Sequence, residues 1–310
     1  MKIAWVGLFK SAPYEPQWIG TNQAIEYSEH EFRKYDYRAE DPKYIREEIA
    51  VFKPDAIIQS VSDCLENEPY LNDCKYYAGN PLQIFHYVDV RFEIPFPRIE
   101  SGAIDYMFIS NDNTDQKENW KNHIGCKDVV FMPCAYFMDC MWEDDEIIPE
   151  IIFIGAKDVR GRAFGQERLN IIEQIRKKEI PLFACGDVWD REHRKNVMEV
   201  QPHLYSKYQF ALSINSVTNS LEKYTSNRLF NICGAGGIAL VKRFDGLDSF
   251  YEEGKHIFAF DNVDELKHIF NKYKNADLSK MRHDAWWHTM RNHTWLQRVE
   301  EMVEYIGKWL

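Results

Sequence analysis

The sequence has no Cys-x-x-Cys pair among its seven cysteines, which stand at positions 64, 74, 126, 134, 140, 185 and 233. An odd number of cysteines without such a pair argues against a disulfide framework or a zinc site and predicts a reducing compartment. The chain also lacks an apolar run near the roughly 20 residues that a membrane span requires. No targeting signal precedes the apolar segment IAWVGL, which follows Met1 and Lys2 directly. We therefore expect a cytoplasmic protein.

Positive charge is also in short supply, because 38 Lys and Arg residues oppose 49 Asp and Glu residues and the net charge is −11. A protein that binds nucleic acid mainly through phosphate contacts needs many Lys and Arg side chains, so this balance disfavours a nucleic-acid partner. The net negative charge still allows a local basic groove within an acidic surface.

Two series of short apolar segments occupy the 310 residues, a length suited to about two domains. Short apolar strands separated by helices are typical of βαβ units and of a parallel sheet buried on both faces. The pattern breaks over residues 136–150, an acidic stretch poor in strand signals. We therefore predict two Rossmann-like α/β domains, residues 1–140 and 150–293. The segments are the strands KIAWVGLF, PDAIIQSV, LQIFHYVDV, IDYMFISN and DVVFMPCA with the helix QWIGTNQAIEYSEHEF, then the strands EIIFIGA, IPLFACG, YQFALSIN, GIALVK and HIFAFD with the helices QERLNIIEQIRKKE, RLFNICGAG, VDELKHIFNKYK and TWLQRVEEMVEYIGKWL.

The first strand of the second half leads into a loop suited to a phosphate. In FIGAKDVRGRAFGQERLNII, residues 153–172, the strand ends at Gly155 and a helix begins near Gln166. Backbone N–H groups at a helix start bind phosphate, and Arg160 and Arg168 can add charge-assisted bonds. The alternative is a solvated loop whose arginines pair with neighbouring acidic side chains.

The next strand, in LFACGDVWD at residues 182–190, also ends in a glycine, Gly186. Trp189 lies just beyond it, where an aromatic ring can line a pocket for a planar base. The alternative is a tryptophan that belongs to the core.

The segment YTSNRLFNICGAGGIALV, residues 224–241, places a cation at the start of a predicted helix. Thr225 or Ser226 can cap this helix. Arg228 then lies in the first turn, where a cation is unfavourable beside the helix dipole unless an anion offsets it. A buried diphosphate would offset it, whereas a purely structural corner gains nothing from arginine there. We therefore predict a ligand site at Ser226, Asn227 and Arg228, followed by glycines that let the next strand start close to the helix end.

In the first half, HYVDVRFEIPFPRI places His86 and Asp89 at the end of a strand. This pair is suited to acid/base chemistry at an acceptor site. The alternative is a histidine bonded to a backbone carbonyl and an aspartate that caps a turn. The acidic segments DNTD and EDDE lie in predicted loops and no Asp-x-Asp follows a strand, so we predict no metal site.

The run from FIGA through FACGD to TSNRLFNICGAGGIALVKRFDGLDSFYEEGKHIFAFDNVDELKHIF and HTWLQRVEEMVEYI resembles the C-terminal half of glycosyltransferases of the two-Rossmann, GT-B type. It is most similar to the spore-maturation, glycosyltransferase-like group of the retaining family-4-like set. The resemblance covers residues 150–310 and is most specific between Arg228 and Phe260. It implies two parallel sheets that face across a cleft, a nucleotide-sugar donor on the second domain and an acceptor on the first. It also implies that the last helix, residues 294–310, packs back on the first domain.

Within this resemblance, Arg228 matches a family arginine, whereas Asn231 stands where a glutamate that binds the donor ribose is usual. Asparagine can still bond a hydroxyl group but supplies no charge, which leaves the nucleotide open. The segment VDVRFEIP and the arginine loop also resemble the phage DNA β-glucosyltransferase, which would make Asp89 the base that deprotonates an acceptor.

These features predict a hexosyl- or pentosyltransferase that moves a sugar from a nucleotide-diphosphate donor, a UDP-sugar, to an acceptor hydroxyl without a metal ion or other cofactor. The acceptor is a glycan, a small molecule or a modified nucleobase. Arg168, Arg228 and the backbone near Gly155 would stabilise the leaving diphosphate. The alternatives are a nucleotide-sugar epimerase, a DNA-modifying glucosyltransferase and a catalytically silent nucleotide-sugar-binding module. Retention or inversion of configuration stays open.

The role of Asp89 is open to a direct test. Asp89→Asn preserves shape and hydrogen bonding but removes the base. An inverting enzyme with Asp89 as its base should therefore lose on the order of a hundredfold in turnover, the usual contribution of a general base. Steady-state rates measure this loss, with donor binding as the control. A loss below about tenfold with donor binding unchanged would leave Asp89 only a positioning role.

Overall fold

The chain forms two compact units in the computed structural model. Unit 1 comprises Met1–Cys134 and Trp295–Leu310, and unit 2 comprises Ala135–Thr294. The predicted site residues Asp89, Arg160 and Trp189 lie outside the described residues. The described residues are 1–12, 15–88, 94, 96–99, 102–137, 141–143, 146–155, 165–186, 197–215 and 223–310.

Unit 1 contains a six-stranded parallel sheet with the strand order β2-β1-β3-β4-β5-β6. Its central strands are apolar and buried along nearly their whole length, as expected where helices cover both faces of a parallel sheet. The strands are β1 (Lys2–Gly7), β2 (Glu31–Asp36), β3 (Ala56–Gln59), β4 (Leu82–Tyr87), β5 (Tyr106–Ile109) and β6 (Asp128–Phe131), and the helices between them are α1 (Pro16–Tyr27), α2 (Pro42–Phe52), α3 (Glu68–Tyr77) and α4 (Thr114–Ile124).

The strand β2 corrects one sequence prediction. We expected a single helix through QWIGTNQAIEYSEHEF, but the helix ends at Tyr27 and Glu31 begins a strand paired with β1. The strand lies at the sheet edge and only its last two residues are buried. It therefore lacks the apolar run by which the buried strands are found in the sequence.

Unit 2 contains a five-stranded parallel sheet with the order β11-β10-β9-β7-β8. The chain moves from β7 to β8 on one side and then returns to β9 on the other side, so the strand order reverses between β7 and β9. In open parallel sheets, ligands bind at such a reversal, beyond the carboxyl ends of the strands. The elements are β7 (Ile148–Ile154), α5 (Gly165–Lys177), β8 (Leu182–Cys185), α6 (Val197–Lys207), β9 (Tyr208–Ser213), α7 (Asn227–Gly234), β10 (Ala239–Lys242), β11 (Phe258–Phe260), α8 (Val263–Tyr273) and α9 (Ser279–Asn292).

The last helix, α10 (Trp295–Trp309), belongs to unit 1 and packs against α1. Its apolar stripe is buried, with Trp295, Met302 and Ile306 almost fully covered. Arg298 on the same face is 3% exposed, and its Nε donates to the carbonyl oxygen of Pro133. Among the described residues, no helix combines the length and the apolar composition needed to cross a membrane.

The glycines at the end of α7 make room for the chain that enters unit 2. A Cβ on Gly234 would lie 2.4 Å from ring atoms of Tyr136, and one on Gly236, whose φ is +80°, would lie 2.6 Å from Met141 Cγ. A Cβ on Gly237 would lie 2.8 Å from the carbonyl oxygen of Tyr205. These glycines therefore allow close packing between protein segments.

Substitution of Gly234 tests this packing. In an exposed helix, Gly→Ala stabilises by about 1 kcal/mol, but here the methyl group would overlap the Tyr136 ring, and overpacking costs about 1–3 kcal/mol. We expect Gly234→Ala to lower the free energy of unfolding in urea titrations. Gly307→Ala in α10 is the matched control, since no atom lies within 4 Å of its added Cβ, and it should be neutral or stabilising. Equal effects of the two substitutions would contradict the packing argument.

Candidate active site

Arg228 joins the carboxyl ends of β7 and β9, where the strand order of unit 2 reverses. Its Nε donates to the carbonyl oxygen of Ile154 at 3.0 Å, and its Nη1 donates to that of Ile214 at 2.8 Å. The first carbonyl closes β7 and the second directly follows β9. The side chain thus reaches from the first turn of α7 to the sheet edge at which a ligand is expected.

The hydrogen bonds of the Arg228 guanidinium go to neutral carbonyl oxygens. Among the described residues, no carboxylate forms an ion pair with it, and its guanidinium carbon lies 5.0 Å from the centre of the Phe153 ring. Burial lowers the pKa of Arg228, while interactions with Tyr205 and Tyr224 act in the opposite direction. Arginine side chains stay charged in proteins, so the site presents a cation whose counter-charge is not supplied by the described residues.

Gly155 and Gly186 bring backbone close to this cation. A Cβ on Gly155 would lie 2.8 Å from Arg228 Nη2 and 3.0 Å from Phe153 Cζ, so the absence of a side chain lets the guanidinium and the ring pack against this backbone. A Cβ on Gly186, whose φ is +123°, would lie 2.6 Å from the carbonyl oxygen of Gly155. Both predicted glycines therefore lie where the ends of β7 and β8 approach each other. A larger residue at either position would displace one of these strand ends.

Arg168 lies in the first turns of α5 and is 8% exposed. Its guanidinium carbon is 5.9 Å from the centre of the Phe153 ring, which Arg228 also contacts. Both predicted arginines therefore lie near one aromatic ring on β7. Two guanidinium groups beside one strand end are suited to an anion with two charged groups, such as a diphosphate.

The start of α7 is fixed by Asn215, which follows β9. Its Nδ2 donates to the carbonyl oxygen of Tyr224 at 2.9 Å, and its Oδ1 accepts from the backbone N–H of Ser226 at 3.3 Å and from Thr225 Oγ1 at 3.4 Å. Ser226 stands at the N-cap position, but its hydroxyl group makes no capping bond. Neither the side chain of Thr225 nor that of Ser226 therefore caps α7, although one of them was predicted to do so.

Polar oxygens without protein partners occur at this helix start. They are buried, and the described residues offer them no hydrogen bond: Ser226 Oγ, Asn227 Oδ1 and Asn231 Oδ1. Buried polar groups are nearly always bonded, so each unbonded oxygen requires an explanation such as a bound ligand or water. All three residues are predicted ligand contacts, and Arg228 lies between them in the same helix.

The sequence reasoning did not identify Asn215, Phe153 or Tyr205. Asn215 had a usable signal, because a polar residue directly after the apolar strand YQFALSIN lies at the carboxyl edge of a parallel sheet. Phe153 and Tyr205 had none, since buried aromatic residues in a strand or helix are ordinarily core residues.

His86 on β4 is 1% exposed and lies between two tryptophan rings, with ring centres 6.2 Å from Trp5 and 6.1 Å from Trp295. Its Nδ1 is 3.4 Å from Ser60 Oγ, and its Nε2 has no hydrogen-bond partner among the described residues. Burial lowers the pKa of His86 to about 3. A base with so low a pKa is poorly matched to neutral pH, which favours the alternative of a core histidine.

No three His, Cys, Asp or Glu side chains are grouped as metal ligands in the part of the chain that the structure describes. The cysteines described there are all buried, and none of them forms a disulfide bond. The predicted roles of the site residues and the predicted absence of a metal stay predictions.

Residues 166–304 match the family model described as glycosyl transferase-like. This range includes Arg168, Arg228 and Asn231 and lies largely in unit 2. No curated protein matches the sequence.

Solved structures with a similar fold cover almost the whole chain. Sucrose-phosphate synthase from Thermosynechococcus elongatus has a TM-score of 0.56 and 9% identity over 100% of this chain and 99% of that chain. AviGT4, a glycosyltransferase involved in avilamycin A biosynthesis, has a TM-score of 0.56 and 12% identity over 99% and 97%. Anabaena HepE, in complex with UDP-glucose, has a TM-score of 0.54 and 8% identity over 99% and 100%. At such identities the likeness establishes the fold.

The predicted fold class is confirmed, because two parallel sheets with helices match these GT-B structures. The predicted enzyme class, a glycosyltransferase, is confirmed by the family match. The matched model is the general one, so the narrower resemblance to the spore-maturation group stays a prediction. The likeness to the phage DNA β-glucosyltransferase and the cytoplasmic location stay predictions as well.

Burial of His86 predicts a specific acid sensitivity. Its pKa falls from 6.5 to about 3 on folding, so the unfolded chain binds the proton more readily and the free energy of unfolding falls as the pH drops below about 6.5. Between pH 7.5 and pH 4.5 this group should remove about 2–3 kcal/mol. His86→Phe, which does not titrate, should therefore lose that much less than the wild type in urea titrations at the two pH values. An identical pH dependence in both proteins would show that His86 is protonated in the folded state.

Proposed function

We propose that the chain transfers a sugar from a nucleotide-diphosphate donor, a UDP-sugar, to an acceptor hydroxyl, and that it does so without a metal ion. The observation that carries the proposal is the Arg228 guanidinium, held by the carbonyl oxygens of Ile154 and Ile214 at the reversal of strand order in unit 2. It supplies a fixed cation at the edge of the sheet where ligands of this fold class bind.

The reaction requires stabilisation of the negative charge that builds on the leaving diphosphate. Arg228 and Arg168 are two cations near the Phe153 ring. Fixed charges aimed at the developing charge lower the barrier because they need no rearrangement during the reaction. Two guanidinium groups can take the place that a divalent cation has in metal-dependent transferases, which supports the metal-independent proposal.

One nitrogen of Arg228 is suited to the diphosphate itself. The two carbonyl bonds use Nε and Nη1 and do not use Nη2, which packs close to Gly155. Arg160 lies outside the described residues and follows Gly155 in the sequence. We propose that Arg160 and the start of α5 complete the phosphate contacts.

The polar oxygens at the start of α7 suit the sugar or ribose part of the donor. Asn231 Oδ1 is buried with no hydrogen-bond partner among the described residues, and it can accept a hydrogen bond from a hydroxyl group. By the resemblance, it stands in the place of a glutamate that binds the donor ribose. An amide in that place gives a weaker, uncharged contact, so donor affinity should depend more on the arginines than on Asn231.

The proposal of a uridine nucleotide rests on fold relatives. Anabaena HepE was solved with UDP-glucose, and the same protein was solved with UDP and glucose. The acceptor is proposed only as a hydroxyl compound on the unit 1 side, where Asp89 and His86 were predicted. The net charge of −11 disfavours a nucleic-acid acceptor.

Substitution of Arg228 tests the proposal. A hydrogen bond to a charged group contributes about 1.5–3 kcal/mol, so Arg228→Gln should weaken UDP binding about 10- to 100-fold in calorimetry. Chelation of metal ions should leave wild-type binding and sugar transfer unchanged.

Arg243→Gln is the matched control, because Arg243 is an exposed arginine of the same unit that pairs with Glu253 and Asp261. It should bind UDP as the wild type does. Thermal unfolding checks that both variants fold. Failure of the wild type to bind UDP, UDP-sugars or any other nucleoside diphosphate would refute the proposed function, and unchanged binding in a folded Arg228→Gln variant would remove Arg228 from the site.

A further inference from the structure

Two consecutive residues that follow β9 are joined to the start of α7 by side-chain hydrogen bonds. The carbonyl oxygen of Ile214 accepts from Arg228 Nη1 at 2.8 Å. Asn215, the next residue, accepts from the backbone N–H of Ser226 at 3.3 Å. These bonds are two neighbouring cross-links between the same two stretches of chain, so loss of one loosens the support of the other.

The amide group of Asn215 makes bonds of opposite direction to neighbouring residues. Its Nδ2 donates to the carbonyl oxygen of Tyr224 at 2.9 Å, while its Oδ1 accepts from Ser226 N–H and, at 3.4 Å, from Thr225 Oγ1. A carboxylate in this place could not donate to Tyr224, and a hydroxyl group is too short to bond both Tyr224 and Ser226. An amide therefore fits the orientation of this segment and adds no charge to it.

The segment is fixed from outside rather than by its own side chains. Ser226 stands at the N-cap position of α7, but its hydroxyl group makes no capping bond. Ser226 Oγ and Asn227 Oδ1 are buried, and the described residues offer them no hydrogen bond. Asn215 supplies the bonds that a capping side chain would otherwise make, and the backbone N–H of Lys223 donates to the carbonyl oxygen of Asp245 at 2.8 Å. Support from outside leaves these oxygens to a ligand.

We propose that Asn215 is a positioning residue for the donor diphosphate, because it holds the start of α7 where the Arg228 guanidinium reaches the ends of β7 and β9. The inference rests on the proposed function. The two bonds of Arg228, to the carbonyl oxygens of Ile154 and Ile214, can form together only when the helix start lies at one distance from the sheet edge. Asn215 fixes that distance before the ligand arrives, so binding requires less ordering of the protein.

The test is an Asn215→Ala substitution in the full chain. Loss of these neutral hydrogen bonds should weaken UDP binding about 3- to 10-fold in calorimetry, because Arg228 becomes less well ordered. Binding of uridine, which has no phosphate, should stay within about twofold of the wild type. A merely structural role would lower the stability of the fold and leave the ratio of the UDP and uridine affinities unchanged.

A double-mutant cycle connects the effect to Arg228. In an Arg228→Gln background, Asn215→Ala should change UDP affinity by less than about twofold, because its effect passes through the arginine. Asn262→Ala is the matched control, since Asn262 fixes the start of α8 in the same unit by accepting from the backbone N–H groups of Asp264 and Glu265, each at 3.0 Å. It should lose stability and bind UDP as the wild type does.

The outcomes separate the two proposals. If the wild type and a folded Asn215→Ala variant bind UDP equally, the positioning role is wrong and the proposed function stands. If Asn215→Ala weakens UDP and uridine alike, or weakens UDP equally in both arginine backgrounds, Asn215 does not act through Arg228 and the inference is overturned. If the wild type shows no phosphate-dependent binding, both fall. Should Asn215→Ala fail to fold, Asn215→Ser takes its place in the same cycle, since its hydroxyl group keeps the position polar but cannot bond Tyr224 and Ser226 together.

Discussion

The Arg228 guanidinium has no counter-ion among the described residues, and this constrains the structure of unit 2 around it. Desolvation of a guanidinium is expensive, so the surrounding elements must supply acceptors in fixed places. The ends of β7 and β9 supply these acceptors as carbonyl oxygens. Arg228 therefore acts as a strut between two strands and as the charge to which an anion is drawn. The same side chain therefore has a structural and a chemical role. A larger residue at position 155 would displace the guanidinium and so affect both roles.

The segment around Arg228 combines two kinds of small or polar residue that serve different ends. The side chains at its start, from Ser226 to Asn231, carry the buried oxygens to which the described part of the chain offers no hydrogen bond. The glycines at its end pack against Tyr136, Met141 and the backbone of Tyr205. The glycine-rich turn thus fits protein to protein, whereas the helix start is the part suited to a ligand. A short stretch of sequence holds both functions because the oxygens lie towards the start of one eight-residue helix and the glycines lie at and beyond its end.

Sequence reasoning located the features that depend on local pattern. Buried strands such as β7 and β9 appear in the sequence as apolar runs. Gly155 and Gly186 could be found because each directly follows such a run. The fold and the position of these two glycines therefore follow from short segments of sequence. The strand β2 was missed because an edge strand with exposed side chains has no apolar run. Phe153 could not be found, because its importance comes from contact with one arginine that lies far away in the chain. For His86 the opposite holds: the sequence suggested acid/base chemistry, and only the fold shows that the side chain is buried between the rings of Trp5 and Trp295.

Unit 1 is made of two separated pieces of chain, Met1–Cys134 and Trp295–Leu310. The ribosome therefore produces all of unit 2 before the helix that covers α1. Until then the nascent N-terminal piece exposes the surface that Trp295, Met302 and Ile306 later bury. Chains fold domain by domain during synthesis, and exposed apolar surface favours aggregation. Unit 2 is continuous in the chain and can complete its fold first. The N-terminal piece is made earlier but cannot bury this surface until α10 has been synthesised.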